Sequence, residues 1–274
     1  MPTQPPSRRA ALAWAGVGLG TALGLAGCLG RGEPEGRVEV TGASPAGRRQ
    51  VYQQLVERLI APIDQLWGQG SLPYPVKVLA PATSADWSDL SGLPGDQNTV
   101  PAVVTGEGQE RVIVMNPAAY DILDAQGKHL VLAHEMTHLA QSQQTDVPWW
   151  LREGSAEFTA YEQIDGGYPA RWPDVWRETA ALVAAEPALP AQPRIGTGLS
   201  TANPDRLTAY ASAWSVCAWM AQRSDGPDVV PRVYSAIAEG QTMDEVARRE
   251  WEMSGAEMIE AWSAWLAEQA SINN

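Results

Sequence analysis

The 274-residue sequence predicts an α+β fold, mainly α-helical, with a small N-terminal β-sheet and a helical C-terminal part. Three observations lead there. Hydrophobic residues make up 45% of the chain and charged residues 19%, the mixture of a globular protein long enough to bury a core. Short β-branched runs bounded by Gly and Pro cluster before residue 116. From Asn116-Pro117 onward, apolar residues recur at helical spacing almost to the end. No internal repeat is visible, so one domain is expected.

The first residues stand apart from that domain. Arg8 and Arg9 precede an apolar run from Ala10 to Ala26, short for a membrane span, that ends in Leu25-Ala26-Gly27-Cys28. This ending resembles the lipobox of bacterial lipoproteins. The resemblance implies that 1–27 is a lipoprotein signal peptide and that Cys28 is lipidated as the mature N-terminus. It also implies an extracytoplasmic protein held at the bacterial cell membrane by its lipid anchor. An ordinary secretory signal and an uncleaved anchor helix are the alternatives, and Ser7-Arg8-Arg9 resembles a twin-arginine signal. Loss of the two arginines takes the formal net charge from −13 to −15. So acidic a chain repels phosphate backbones, and nucleic acid is not an expected partner. Cys217, in the apolar run Trp214–Trp219, is expected to be a small buried hydrophobe.

Residues 28–46, rich in Gly, Pro and charge, are expected to form a flexible tether, with the domain following over 47–270. Val51, Leu55, Leu59, Ile63 and Leu66 recur every three or four residues, an amphipathic helix with Pro62 as a kink. Val76–Leu79 reads as a strand. Residues 81–98, dense in Ser, Asp, Gly and Pro, read as loop. Ala102–Val104 and Arg111–Met115 are two more strands, joined around Gly106-Glu107-Gly108. In the helical part, the Pro/Gly-rich stretch 186–206 has no period. Thr242-x-x-Glu245 and Ser254-x-x-Glu257 are capping boxes that start two late helices.

The chemistry lies in His134-Glu135-Met136-Thr137-His138, an HExxH. Positions i and i+4 of a helix share a face one turn apart, so both imidazoles can reach one metal ion. Glu135 projects to the side, where it can hold and deprotonate a metal-bound water. Leu132, Met136, Leu139 and Ala140 form a stripe for the core, nearly opposite the two histidines. Zn²⁺ with two histidines needs a third protein ligand and keeps its fourth position open. Glu153, fifteen residues after His138 in Trp150-Leu151-Arg152-Glu153-Gly154-Ser155-Ala156-Glu157, is the candidate. Asp146 can cap this second helix, with Pro148 in its first turn. Glu157, one turn further on the same face, could orient a ligand imidazole or be a solvated surface acid.

An HExxH followed by a helix of this W-L-x-E-G-x-A-E type resembles the gluzincin metallopeptidases, in particular the compact bacterial peptidase-MA-like group. Val112–Tyr120, the helix carrying Tyr210-Ala211-x-Ala213, and the C-terminal helices to about Leu266 extend the similarity over roughly 110–266. The resemblance implies a zincin-like domain with His134, His138 and Glu153 on zinc, Glu135 as general base and Glu157 behind the ligands. The family also needs an oxyanion donor, commonly Tyr or His. With two of three histidines on the metal and His129 more than a turn away, Tyr210 matches by position, ahead of Tyr161. The family's aminopeptidases carry G-x-M-E-N on the strand before the active helix. Here Val112-Ile113-Val114-Met115-Asn116 has no acid, so internal cleavage of a peptide or protein substrate is expected. A strand near Val112–Met115 is expected to align that substrate. The rival expectations are a non-catalytic zinc-containing surface lipoprotein that binds a partner and a metal-free helical protein with a chance motif.

Overall fold

A computed structural model describes residues 36–93, 100–141, 146–162, 167–192, 204–224 and 226–272. Its sheet has four short strands, β1 (Val38–Thr41), β2 (Val76–Leu79), β3 (Ala102–Thr105) and β4 (Val112–Met115), in the order β1-β2-β4-β3. β1 pairs in parallel with β2, and β2 with β4; β3 runs antiparallel to β4, with Ala102 opposite Met115 and Thr105 opposite Val112. A parallel pair needs a crossover, supplied between β1 and β2 by helix α1 (Ala46–Trp67), which continues through Pro62. Its buried side chains are Tyr52, Val56, Leu59, Ile60, Ile63 and Asp64.

Two expectations are corrected here. Residues 38–46 are not tether. Val38–Thr41 is a strand, and Ser44 donates from its backbone N–H to Ala80 O at 3.0 Å. Gly42 makes that approach possible, because at φ 107° a Cβ there would lie 2.3 Å from Ala80 O. Arg37 adds an anchor, donating to Asp64 Oδ2 at 3.2 Å. Four residues with two half-buried valines are too short a pattern to distinguish from linker. The stretch 81–98 is likewise not all loop, for Ser84–Ser91 forms helix α2, capped by Thr83 Oγ1 accepting from Asp86 N at 3.1 Å. One fully buried residue, Trp87, seats α2 on Val100 and Val114. A two-turn helix with a single core residue has too little periodicity to be read from sequence.

After β4 the chain is helical. Asn116 caps α3 (Pro117–Ile122) and Asp124 caps α4 (Ala125–Ala140). There follow α5 (Trp149–Glu162), α6 (Gly167–Arg171), α7 (Pro173–Ala185), α8 (Pro204–Arg223), α9 (Val229–Ala238), α10 (Met243–Trp251) and α11 (Gly255–Ile272). α4 packs on α1, β3 and α5, and α5 packs on α8, which is backed by α7 and α11. The α5–α8 crossing is close: a Cβ on Gly154 would lie 2.4 Å from Ala213 O. Both capping boxes form, Thr242 with Glu245 and Ser254 with Glu257. The fold is therefore mainly α-helical α+β with a small mixed sheet on the N-terminal side, as the sequence predicts. Cys28, the expected signal segment and residues 193–203 of the 186–206 stretch lie outside the described residues. Among the described residues no helix is long and apolar enough to cross a membrane.

Candidate metal centre

The site begins with the orientation of α4. Asp124 accepts from Gly127 N at 2.6 Å and fixes the helix start. Leu132, Met136 and Leu139, all fully buried, hold one face in the core. His134 and His138 therefore emerge together on the other face, with ring centroids 4.7 Å apart and Nε2 atoms 3.0 Å apart. α5 presents Glu153 to them: its Oε2 lies 3.5 Å from His134 Nε2 and 3.5 Å from His138 Nε2. These three residues could hold a metal ion.

Two properties of the donors test that fit. A triangle with edges of 3.0, 3.5 and 3.5 Å has its vertices about 1.9 Å from its centre. Tetrahedral ligand atoms about 2.0–2.2 Å from an ion enclose a face of nearly that size. The second property is tautomeric. Gln141 on the C-terminal side of α4 donates Nε2–H to Arg152 O and to Ser155 Oγ, each at 2.9 Å. Its Oε1 therefore faces His138 Nδ1, 2.8 Å away, and accepts that proton. His134 Nδ1 faces Glu157 Oε1 at 3.4 Å. Both Nδ1 positions thus have acceptors, which directs both Nε2 lone pairs and the Glu153 carboxylate at one point. The donor set fits a cation.

The same charges shape the titration. Burial pushes the His134 pKa down, but Glu153 and Glu157 hold it well above its ordinary value. Burial pushes Glu153 up, yet the two imidazoles hold it well below the usual carboxylate range. Glu135, buried at 8% exposure beside the histidines, is raised chiefly by burial. A carboxylate that is reluctant to ionise is a ready proton acceptor and donor.

These groups line a cavity of about 520 Å³ bounded by Val100–Val104, α4, α5 and α8. Tyr210 of α8 lies in its wall, its ring centroid 6.3 Å from that of His134. Burial, first of all, raises the Tyr210 pKa, so the hydroxyl keeps its proton. Tyr161 also borders the cavity, but it stacks on Tyr168 at 4.8 Å and meets Trp172 edge-on. His129 does not line it. Cys217 is fully buried in α8. One expectation is corrected: Val112–Met115 is an interior strand, paired on both sides, so it has no edge to offer a substrate. The edge strand at the cavity is β3. Both runs look alike as sequence, and only pairing order decides which is outermost.

Several residues in the site are not expected from the sequence. Gln141 is one, and Tyr168, whose hydroxyl donates to Glu157 Oε2 at 3.1 Å, is another. Arg111 is the third. Its Nη1 donates to His138 O and Gln141 O at 3.0 and 3.2 Å, and its Nη2 to Leu139 O at 2.7 Å. It thereby satisfies the carbonyls that end α4. Spacing could have suggested Gln141, three residues after His138 on one helical face; the other two depend on tertiary placement. Comparison of the chain with protein-family models, with curated proteins and with solved structures finds no match.

Proposed function

We propose that this chain is a zinc-dependent peptidase of the gluzincin type, lipid-anchored outside the cytoplasm and acting on peptide or protein substrates by internal cleavage. The observation that carries the reading is the convergence of His134 Nε2, His138 Nε2 and Glu153 Oε2 in the cavity that also holds Glu135. A set of two imidazoles and one carboxylate suits zinc and leaves a fourth position for the reaction. Zinc bound there supplies Lewis-acid polarisation of the scissile carbonyl and lowers the pKa of water. The resemblance of His134–His138 and Trp150–Glu157 to the gluzincin pattern supports the assignment, and Leu25-Ala26-Gly27-Cys28 supports the anchor.

The protein's own groups divide the work. Glu135 takes a proton from the attacking water and returns it to the leaving amine. The raised pKa of Glu135 suits the second half of that transfer. Tyr210 donates its hydroxyl to the oxyanion that forms at the scissile carbonyl. Glu157, held by Tyr168, keeps the His134 ring oriented, as Gln141 does for His138. β3 offers its unpaired edge to an extended substrate, with Val103 and Val104 in the cavity wall.

Glu135→Gln is the direct test, because the amide cannot accept the water's proton. With the zinc-loaded mature domain and a mixed peptide library, the variant is expected to cleave about 10²–10⁴-fold more slowly while retaining its zinc. Equal cleavage by variant and wild type would rule the mechanism out.

A further inference from the structure

The cavity departs from the charge balance of the chain. With 19 basic residues against 32 acidic, the protein as a whole is strongly negative. Yet the cavity lining holds three arginines, Arg111, Arg152 and Arg206, beside three glutamates, Glu135, Glu153 and Glu157. Two of the arginines are engaged. Arg111 is committed to the carbonyls at the end of α4. Arg152 donates Nε–H to Glu153 Oε1 at 3.2 Å.

Arg206 is different. It stands half-buried in the first turn of α8, with its Cζ 5.4 Å from the Tyr210 ring centroid. Among the described residues it meets Tyr210, through the ring and by a hydrogen bond to the hydroxyl, and forms no ion pair with a carboxylate. The dipole of a twenty-residue helix also opposes a cation in its first turn. A guanidinium is a rigid fork of five donors matched to a carboxylate, and here it lines the cavity with donors beyond the one given to Tyr210 and with no protein carboxylate paired to it among the described residues. Its distance from the metal ligands is bounded. Arg206 Cζ lies 5.4 Å from the Tyr210 ring centre, which lies 6.3 Å from that of His134. The guanidinium is therefore at most about 12 Å from His134, the span of some three extended residues.

We infer that Arg206 is a carboxylate receptor on the α8 side of the cavity. It selects peptides with a carboxylate within about three residues of the bond cleaved. That carboxylate is either an acidic side chain or the free C-terminus, since the same fork accepts both. The inference rests on the peptidase reading and adds its substrate class.

The test uses the zinc-loaded mature protein and peptide mixtures in twin sets. One set has Glu or Gln at each position in turn, and the other ends in a free acid or an amide. Products are mapped by mass spectrometry. Wild type is expected to favour the carboxylate member of one set about tenfold. A Glu/Gln preference identifies an acidic side chain as the source, and an acid/amide preference identifies the C-terminus. Arg206→Gln should bring the ratio to about one, and Arg206→Lys should retain part of it. No preference in wild type overturns the inference without any variant. A preference that survives in Arg206→Gln also overturns it. Equal slowing of both members of a pair would show that Arg206 only supports Tyr210, and sinks it too.

Binding of the same labelled twins to the zinc-loaded Glu135→Gln protein, read by fluorescence anisotropy, separates this inference from the one beneath it. Discrimination dependent on Arg206, with no cleavage by wild type, retains the receptor and rejects the peptidase. Cleavage without discrimination does the reverse. Neither binding nor cleavage rejects both.

Discussion

At the scale of single residues, the candidate metal centre depends on groups outside its three donors. Gln141 shows this most clearly. Its amide oxygen takes the Nδ1 proton of His138, and its nitrogen ties α4 to Arg152 and Ser155 of α5. One side chain therefore fixes both a ligand's tautomer and the spacing of the helices that carry the ligands. Gln141→Ala is expected to weaken zinc affinity about 10–100-fold, measured by competition with a chromophoric chelator. Gln141→Glu, which keeps an acceptor at His138, should retain most of the affinity. Unchanged affinity in the alanine variant would show that the ring needs no such partner. The contrast with the ligands explains what was legible. His134, Glu135 and His138 lie within five residues, where helical geometry alone sets their relation, and Glu153 follows on the next helix. Gln141 is as close in sequence, yet its role depends on Arg152 and Ser155 being on the facing helix. Arg111 and Tyr168 reach the site from the residue before β4 and from a short helix, 23 residues before His134 and 11 after Glu157.

At the scale of elements, the centre is a property of one helix pair and of what presses on it. α5 carries Glu153 and Glu157 toward α4 and turns its opposite side to α8, where Gly154 permits close backbone approach. The glycine sits between the ligand and the crossing. Gly154→Ala places a methyl 2.4 Å from Ala213 O, a position that backbone must vacate. It should lower stability by about 1–3 kcal/mol in denaturant unfolding. An unchanged midpoint and slope would mean that α5 and α8 do not cross at this residue. The same scale separates what could be read from what could not. α4, α8 and α11 show sustained helical periodicity, and the capping boxes at Thr242 and Ser254 mark their helices directly. α2 and β1 are short, each held by one or two side chains, Trp87 in the one and Val38 with Val40 in the other. Their identity lies in what they pack against, which composition does not contain. The same limit assigned the substrate edge to β4. Two similar valine runs differ only in their place in the order β1-β2-β4-β3.

At the scale of the molecule, the sheet sets its first strand and the proposed cleft at opposite edges. β1 is one edge of the sheet and β3, which lines the cavity, is the other. Three interstrand steps separate them, about 14 Å at 4.7–4.9 Å each. Cys28 precedes Val38 by ten residues, so β1 is the first described strand after that cysteine in the sequence. An anchor on Cys28 would join the described fold at β1, the edge strand opposite the one beside the candidate metal ligands. Attachment and catalysis should then be separable. Cys28→Ala is expected to lose incorporation of a labelled fatty acid and to move from the membrane to the soluble extracytoplasmic fraction. Its kcat/KM on a soluble peptide should stay within about twofold of the lipidated form, since the first described strand after Cys28 is β1, at the edge of the sheet remote from the cavity. Retention of Cys28→Ala in the membrane fraction would reject the lipid anchor. A large loss of activity in the released protein would instead reject the separation of the two edges, and would mean that the membrane itself helps present the substrate to β3.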